Sequence, residues 1–546
     1  MPALVQSSDL TPPEAAGASR WIEQLPRPAL VLGLGAIALL WLLARLPGFN
    51  PPSLWLDDEW VAVLVKSASL SFLFEVRPPV PPGFVLALKG VRALLGDGEW
   101  QLQLLALLAG AAQVVAIGWL VRRVTGHASL GLLAAALLAG NPVLATYSLR
   151  AKAYALDGLL SIVLVGLAAA ALRSGRTGRF LWLCAAGCAA IFLSVPSLFV
   201  AGAMVNVAAA ALLLRPPATA SPAGRPVAPS RLRLLLGWAG FHLAVLAFYL
   251  AFVRGGRNAS LLVHWRNFFV PTDDLSAAAA FLSGRGARLF TGAFPEGLPW
   301  LAALIPVGLA RLLWRRDGRA LGLAMAGLYA GVVAAAALRL YPIGGGRTDL
   351  YAVPISILLA ACALSGHGRW SRWLPPAAAA LAAAHFLITL PSGRSAYPEE
   401  GGRAIVERAN EIVRDEDGLV IYPWSNYAVG YYGRWPVRLV PVADSTNGFY
   451  VRLERERTLV LHETLAGRSF EAGPDVVERQ LIPFLADGPE RLVYVAVKGP
   501  TDPHAWIVRT IVSHGYRMVD HETDRGAIRI TYERARPAGA PHLPAP

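Results

Sequence analysis

Ala29-Leu-Val-Leu-Gly-Leu-Gly-Ala-Ile-Ala-Leu-Leu-Trp-Leu-Leu-Ala-Arg45 forms the body of an apolar run over 28–46, and Leu54-Trp-Leu-Asp-Asp-Glu-Trp60 follows a short loop later. An unbroken apolar stretch of this length, charged only near its end, reads as a helix that crosses a bilayer. Asp57, Asp58 and Glu59 then stand just beyond its exit, where a membrane enzyme keeps a carboxylate for chemistry on the far side. Carboxylates beside a membrane are costly unless they are solvated or used. Residues 58–69 read as a short helix with these acids in its first turn, where negative charge also suits the helix dipole. Adjacent helical positions point about 100° apart, so the three acids cannot all face one pocket.

Ten further apolar runs follow, near 101–121, 130–147, 156–172, 180–194, 197–214, 234–253, 299–313, 319–338, 350–365 and 374–390. With 55% of 546 residues hydrophobic and 16% charged, a soluble core for all this surface is excluded. The expected fold class is a polytopic α-helical membrane protein of about 11 spans with a C-terminal soluble α/β domain. The net charge of +14 does not point to nucleic acid, because the arginines cluster in short connections: Arg122-Arg123, Arg173/Arg176/Arg179, Arg215/Arg225/Arg231/Arg233, Arg311/Arg315/Arg316/Arg319 and Arg369/Arg372. By the positive-inside rule these face the cytoplasm. The loop 47–100, the connection 147–155, the loop 254–298, the turn 339–349 and everything after Leu390 then face the opposite side.

The expected divisions are a cytoplasmic N-terminal tail (1–27), a transmembrane catalytic region (28–390), an extracytoplasmic α/β domain (391–536) and a disordered tail (537–546) rich in proline and alanine. Within the α/β domain, 403–414 carries a helical apolar stripe. Strands are expected at 419–422, 491–497 and 527–532, with helices near 475–486 and 504–515. Cys184, Cys188 and Cys362 lie in apolar runs and read as packing residues rather than a disulfide framework. No metal-spaced set of Cys and His is visible, His264 being alone, and neither metal nor cofactor is expected.

Arg77-Pro-Pro-Val-Pro-Pro-Gly83 puts a cation in the loop that holds the three acids, ahead of an amphipathic helix over 83–95. A hydroxyl that attacks a sugar carbon needs a base for its proton, and a carboxylate suits that task. The departing phosphate needs a cation, and an arginine presented before two prolines offers a planar two-point contact to its oxygens. An interfacial arginine touching lipid headgroups is the bland alternative.

The order of apolar span, Leu54-Trp-Leu-Asp-Asp-Glu-Trp60, Arg77-Pro-Pro79 and Leu95-Gly-Asp-Gly-Glu-Trp100 resembles the GT-C superfamily of integral membrane glycosyltransferases, near the protein O-mannosyltransferases and lipid A aminoarabinose transferases. The resemblance covers roughly 28–390. It implies a glycosyltransferase in the plasma (inner) membrane that takes a sugar from a polyprenyl-phosphate donor on the outer face and passes it to an extracytoplasmic acceptor. The base of that family maps to Asp58-Glu59 or Asp57, with Asp58 favoured, and Arg77 matches the basic residue that contacts the lipid phosphate. Relatives often carry arginine in the segment entering the second span, where this chain has Gln101 and Gln103. A lipid-linked sugar transporter or a non-catalytic envelope assembly protein are the rivals; a transporter favours charges at the bilayer midplane, whereas these sit at helix ends.

Three further outer stations are similar to segments of a bacterial subgroup of that superfamily. Asn141-Pro-Val-Leu-Ala-Thr-Tyr-Ser-Leu-Arg-Ala-Lys-Ala-Tyr-Ala-Leu-Asp157 offers Lys152 to a phosphate or sugar hydroxyl and Tyr154 to the substrate, while Asp157 reads as a helix-start charge. His264-Trp-Arg-Asn-Phe-Phe-Val-Pro271 contributes Trp265 and Arg266, an aromatic face for a sugar ring or lipid groove and a charge beside it. Arg339-Leu-Tyr-Pro-Ile-Gly-Gly-Gly-Arg-Thr-Asp-Leu-Tyr351 contributes Tyr341 and Arg347, the second candidate for the donor phosphate; a plain glycine turn capped by Thr348 or Asp349 is the alternative. Tyr422-Pro-Trp-Ser-Asn-Tyr-Ala-Val-Gly-Tyr-Tyr-Gly433 reads as acceptor recognition or strand-end packing.

Overall fold

In the computed structural model of the chain the described residues are 27–215, 230–254, 259–366, 373–390, 401–442, 445–461, 474–486, 488–497 and 501–535. The expected tails lie outside them apart from Arg27, as do Arg225, Arg369 and Arg372. In chain order the first part holds α1 (Arg27–Leu43), α2 (Leu56–Ser67), α3 (Leu70–Val76), α4 (Pro82–Leu95), α5 (Glu99–Thr125), α6 (Ala128–Ala139), α7 (Pro142–Tyr147), α8 (Tyr154–Ser174), α9 (Thr177–Leu193), α10 (Ser197–Leu213) and α11 (Arg231–Phe248). Then come the short α12 (Ala259–His264), α13 (Leu275–Phe281) and α14 (Arg288–Thr291), followed by α15 (Leu304–Trp314), α16 (Arg319–Ala337), α17 (Val353–Leu364) and α18 (Leu374–Thr389).

Each of the eleven apolar runs is helical, and among the described residues five helices are long and apolar enough, by length and composition, to cross a membrane: Pro28–Gly48, Glu99–Thr125, Tyr154–Ser174, Arg231–Val253 and Arg319–Ala337. The run expected over 130–147 is broken. α6 stops before Gly140, and Asn141 starts α7 by accepting the Leu144 N–H (2.9 Å) ahead of Pro142. An N-capping side chain followed by proline makes a new helix start at small cost. Small residues let the helices meet backbone to backbone: a Cβ at Gly131 would stand 2.6 Å from the Gly118 carbonyl, joining α5 to α6. At the carboxyl end of α5 three arginine-bearing connections touch, where Arg173 donates to the Arg123 carbonyl (2.6 Å) and Arg215 to that of Leu172 (3.2 Å). At the other end Gln103 accepts the Asn50 N–H (3.0 Å) and donates to the Leu149 carbonyl (2.7 Å), so a neutral side chain braces the loops.

The C-terminal part contains α19 (Gly402–Ile412), β1 (Gly418–Ile421), α20 (Ser425–Tyr432), β2 (Val437–Pro441), β3 (Phe449–Leu453), β4 (Thr458–Val460), α21 (Pro474–Ala486), β5 (Arg491–Val497), α22 (Thr501–Ser513), β6 (Tyr516–Asp524) and β7 (Ala527–Arg534). The three expected strands are present, and the segment 422–433 leaves the end of β1 through a turn and forms α20 over Ser425–Tyr432. The main sheet runs β4-β1-β5-β7-β6, with β1 parallel to β4 and β5 and β7 antiparallel to β5 and β6. Successive strand residues face opposite sides. Val420, Tyr422, Leu492, Tyr494 and Ala496 therefore pack with Leu481 of α21 and Ile507 of α22, while Leu419, Ile421, Val493, Val495 and Val497 pack with Ile405 and Val406 of α19. This second face belongs to the same continuous core as Val61, Val63 and Val65 of α2 and the apolar helices. The α/β layers are thus built onto the helical part rather than tethered to it.

Candidate active site

α2 begins one residue after Trp55, which leaves Asp57, Asp58 and Glu59 in its first turn. The 100° step between them sends each carboxylate to a different neighbour. Asp57 Oδ2 accepts from Arg347 Nη1 at 2.6 Å, and the two side chains keep 29% and 20% of their surface exposed. Asp58 is fully buried: its Oδ1 accepts the Ala151 N–H (3.1 Å) and its Oδ2 lies 3.5 Å from Arg150 Nη1. Glu59, also fully buried, has its Oε1 against Gly402 at the start of α19. The far end of α2 is clamped as well, since Lys89 donates to the Val65 carbonyl (2.7 Å), Arg92 to that of Lys66 (3.1 Å), and Lys66 to that of Tyr431 (2.7 Å). These cations cap the carbonyl end of a helix, where positive charge is favoured.

Two more segments close around Asp57. Between α7 and α8 the chain makes a turn that carries Lys152, whose Nζ lies 3.8 Å above the Trp60 ring, and Arg150, whose guanidinium lies 4.7 Å above Trp55. Tyr154 opens α8 and packs edge-on against Tyr147, ring centroids 5.0 Å apart. The glycine turn supplies Arg347. Gly344 and Gly346 have φ of 73° and 69°, a backbone that favours glycine, and a Cβ at Gly344 would stand 2.2 Å from the Arg285 carbonyl. Asp349 caps the turn by accepting the Gly346 N–H (3.1 Å), and Tyr341 donates to the Thr348 carbonyl (2.9 Å). Arg347 emerges from this knot 5.3 Å from the Trp265 ring. The 264–271 loop is tied in through the Ile343 N–H on the Phe268 carbonyl (3.0 Å).

Electrostatics follow from this packing. Burial would raise the Asp57 carboxyl, but Lys152 and Arg347, with a smaller part from His264, hold it below the usual carboxylate range. Burial pushes the Lys152 ammonium down to about 8, opposed by Asp57 and Asp58 and reinforced by Arg347 and Arg150. Burial pushes Asp349 up to about 7 despite the amides of the glycine turn. Burial lowers His264, reinforced by Arg347.

Asp57, Arg347, Lys152, Tyr154 and Trp265 therefore gather in one place. Tyr341 supports the turn from beneath, edge-on to Phe199 and Tyr351. Arg266 is exposed, and among the described residues it makes no pair with the cluster. Arg77 takes the C-cap of α3 with φ 52°, and its Nε donates to the Phe74 carbonyl (3.2 Å); among the described residues it pairs with none of these groups. Sequence reasoning passed over Tyr147 and Arg150, although both lie in the segment it quoted. Their spacing of three around a short helix end was the available signal.

No family model matches the chain, and no curated protein matches it by sequence. Solved structures do. ArnT from Cupriavidus metallidurans, in a crystal structure bound to undecaprenyl phosphate and in one in the apo state, superposes with a TM-score of 0.54 over 94% of this chain and 98% of that chain, at 15% sequence identity. The likeness spans the apolar helices and the strand-containing C-terminal part together. The chain therefore shares the fold of these ArnT structures.

Proposed function

We propose that the protein is a multi-pass glycosyltransferase of the inner membrane, with all eleven apolar helices crossing and the C-terminal part outside the cytoplasm, that moves a sugar from a polyprenyl-phosphate donor to an extracytoplasmic acceptor. The observation that carries this reading is a partly exposed carboxylate, Asp57, facing two buried or half-buried cations, Arg347 and Lys152. One of the structures of like fold holds undecaprenyl phosphate, a ligand of the same chemistry as the proposed donor.

In this reading the acceptor hydroxyl attacks the anomeric carbon and gives its proton to Asp57. The bond between that carbon and the phosphate oxygen breaks, and its electron pair leaves with the phosphate into the hands of Arg347 and Lys152. Asp57 takes the role of base in preference to Asp58, because a group that touches substrate must be reachable and Asp58 is enclosed by the 150–151 turn. Trp265 and Tyr154 supply faces for the sugar or the first isoprene units. The test is turnover: purified protein in lipid nanodiscs, given a panel of radiolabelled polyprenyl-phosphate sugars and membrane extract, transfers label from one of them. Absence of transfer from every donor, with tight binding of a lipid-linked sugar retained, overturns the transferase in favour of a transporter.

Lys152 also sets a pH dependence. With its ammonium down at about 8, the charge that receives the donor phosphate is present below that pH and lost as pH rises through it. kcat/KM reports the free enzyme, so kcat/KM for the donor should fall along an alkaline limb near pH 8. Arginine stays protonated across this range, so Lys152→Arg should abolish the limb; an unchanged limb in that variant removes Lys152 from the donor site.

A further inference from the structure

The C-terminal sheet places β4 and β5 on either side of β1, all three parallel, with the chain crossing from one side to the other between them. In open α/β sheets of this kind ligands bind in the crevice beyond the carboxyl ends of the strands where the order reverses. Here that crevice lies after Ile421 and Val497. It is bordered by Ser425, whose Oγ accepts the Val497 N–H (2.6 Å), and by Gly402 at the first turn of α19. A Cβ at Gly402 would stand 2.9 Å from Glu59 Oε1, 3.1 Å from Val497 Cγ1 and 3.4 Å from Ser53 Oγ. The occupant of the crevice is thus a carboxylate from α2, two residues from Asp57, seated at the amino end of an 11-residue helix whose dipole favours it.

A second set of bonds runs alongside. The Tyr432 hydroxyl accepts the Leu54 N–H (2.7 Å) and donates to Glu99 Oε1 (2.8 Å). Arg403 Nη1 lies 3.2 Å from Glu99 Oε2, and the Arg403 N–H donates to Ser53 Oγ (3.2 Å). α20 presses on α2 closely enough that a Cβ at Gly430 would stand 3.3 Å from Val63 Cγ2.

We propose that the α/β part uses its strand-end crevice to hold Glu59, and through Glu59 fixes the helix that aims Asp57, so that Glu59 is a positioning residue for the reaction. The proposal rests on the transferase reading for its kinetic consequence and on the contacts above for its structural one. A misplacement of about 1 Å at a reacting group costs on the order of 100-fold in rate. The latch therefore acts on kcat and leaves the donor contacts of Arg347 and Lys152 in place.

The test uses the full-length protein in nanodiscs with two variants, Glu59→Gln and Gly402→Ala, the second pushing the Glu59 side chain out while leaving its carboxyl group chemically intact. Hydrogen exchange should quicken in the peptides covering 56–67 and 401–412 in both variants, with the apolar helices unchanged. kcat should fall roughly 10- to 100-fold with the donor KM unaltered, and Tyr432→Phe should show the same split in weaker form. Unchanged exchange over 56–67 in both variants overturns the latch, whether or not any donor is turned over. Quickened exchange with kcat intact overturns the positioning role. If wild type turns over no donor at all, the transferase reading fails while the exchange data still decide the latch.

Discussion

Asp57→Asn should lower sugar transfer by ~10²–10⁴-fold with the donor still bound. Asparagine matches aspartate in size and can accept a hydrogen bond from Arg347, but it cannot take the acceptor's proton. The same change frees Arg347 from the ion pair it makes at 2.6 Å, so the donor phosphate meets a cation with no competing carboxylate and the donor KM should stay level or fall. Both members of that pair are partly exposed, so its loss should move thermal stability by less than ~1 kcal/mol. Asp58→Asn makes the contrast. Asp58 and Arg150 have 0% and 4% of their side chains exposed, and breaking a buried pair from one side costs ~3–5 kcal/mol. That variant should melt at a visibly lower temperature while retaining a share of its turnover. Full activity in Asp57→Asn beside complete loss in a well-folded Asp58→Asn would return the base to Asp58.

The difference between these two neighbours was not legible in the sequence, and the reason is geometric. Three consecutive acids must diverge on a helix, which the sequence does say, but which one meets the cations depends on where the helix starts and on a partner 290 residues away in the chain. Hydropathy found the apolar helices because runs of that length have one reading. It did not find the break at Gly140, where a capping asparagine and a proline override an apolar pattern that continues on both sides. In the C-terminal part the three strands that were found are buried runs rich in Val, Leu, Ile and Tyr, whereas the missed β6, Tyr516-Arg-Met-Val-Asp-His-Glu-Thr-Asp524, is an edge strand largely exposed along its length and carries no such signal. α20 contains a glycine and three tyrosines and is a weak helix former by propensity. Its helix is held by packing on α2, and a contact between segments so far apart cannot be read from local pattern. The role of Glu59 was hidden for the same reason: nothing near it in sequence shows that Gly402 lies against it.

Arg347→Ala should cut kcat/KM for the donor by ~10²–10³-fold, the second of the two largest effects. The guanidinium is the most rigidly presented cation of the site, because the turn that carries it is fixed by two left-handed glycines, the Asp349 cap and the Tyr341 hydroxyl. None of these contacts involves the Arg347 side chain, so alanine should leave the turn folded and remove only the charge. Charge lost where the phosphate departs is felt more in the transition state than in the bound donor, so kcat should fall further than KM rises. Arg347→Lys should recover part of the loss, since an ammonium restores the charge but not the planar two-point contact. Asp57 should respond too: without Arg347 its carboxyl rises toward the usual range, held down by Lys152 and, weakly, His264. The acid limb of the residual activity should therefore move to higher pH in Arg347→Ala than in wild type. An alanine variant with wild-type kinetics and an unmoved acid limb would separate Arg347 from both the phosphate and the base, and would leave Lys152 as the cation on which transfer depends.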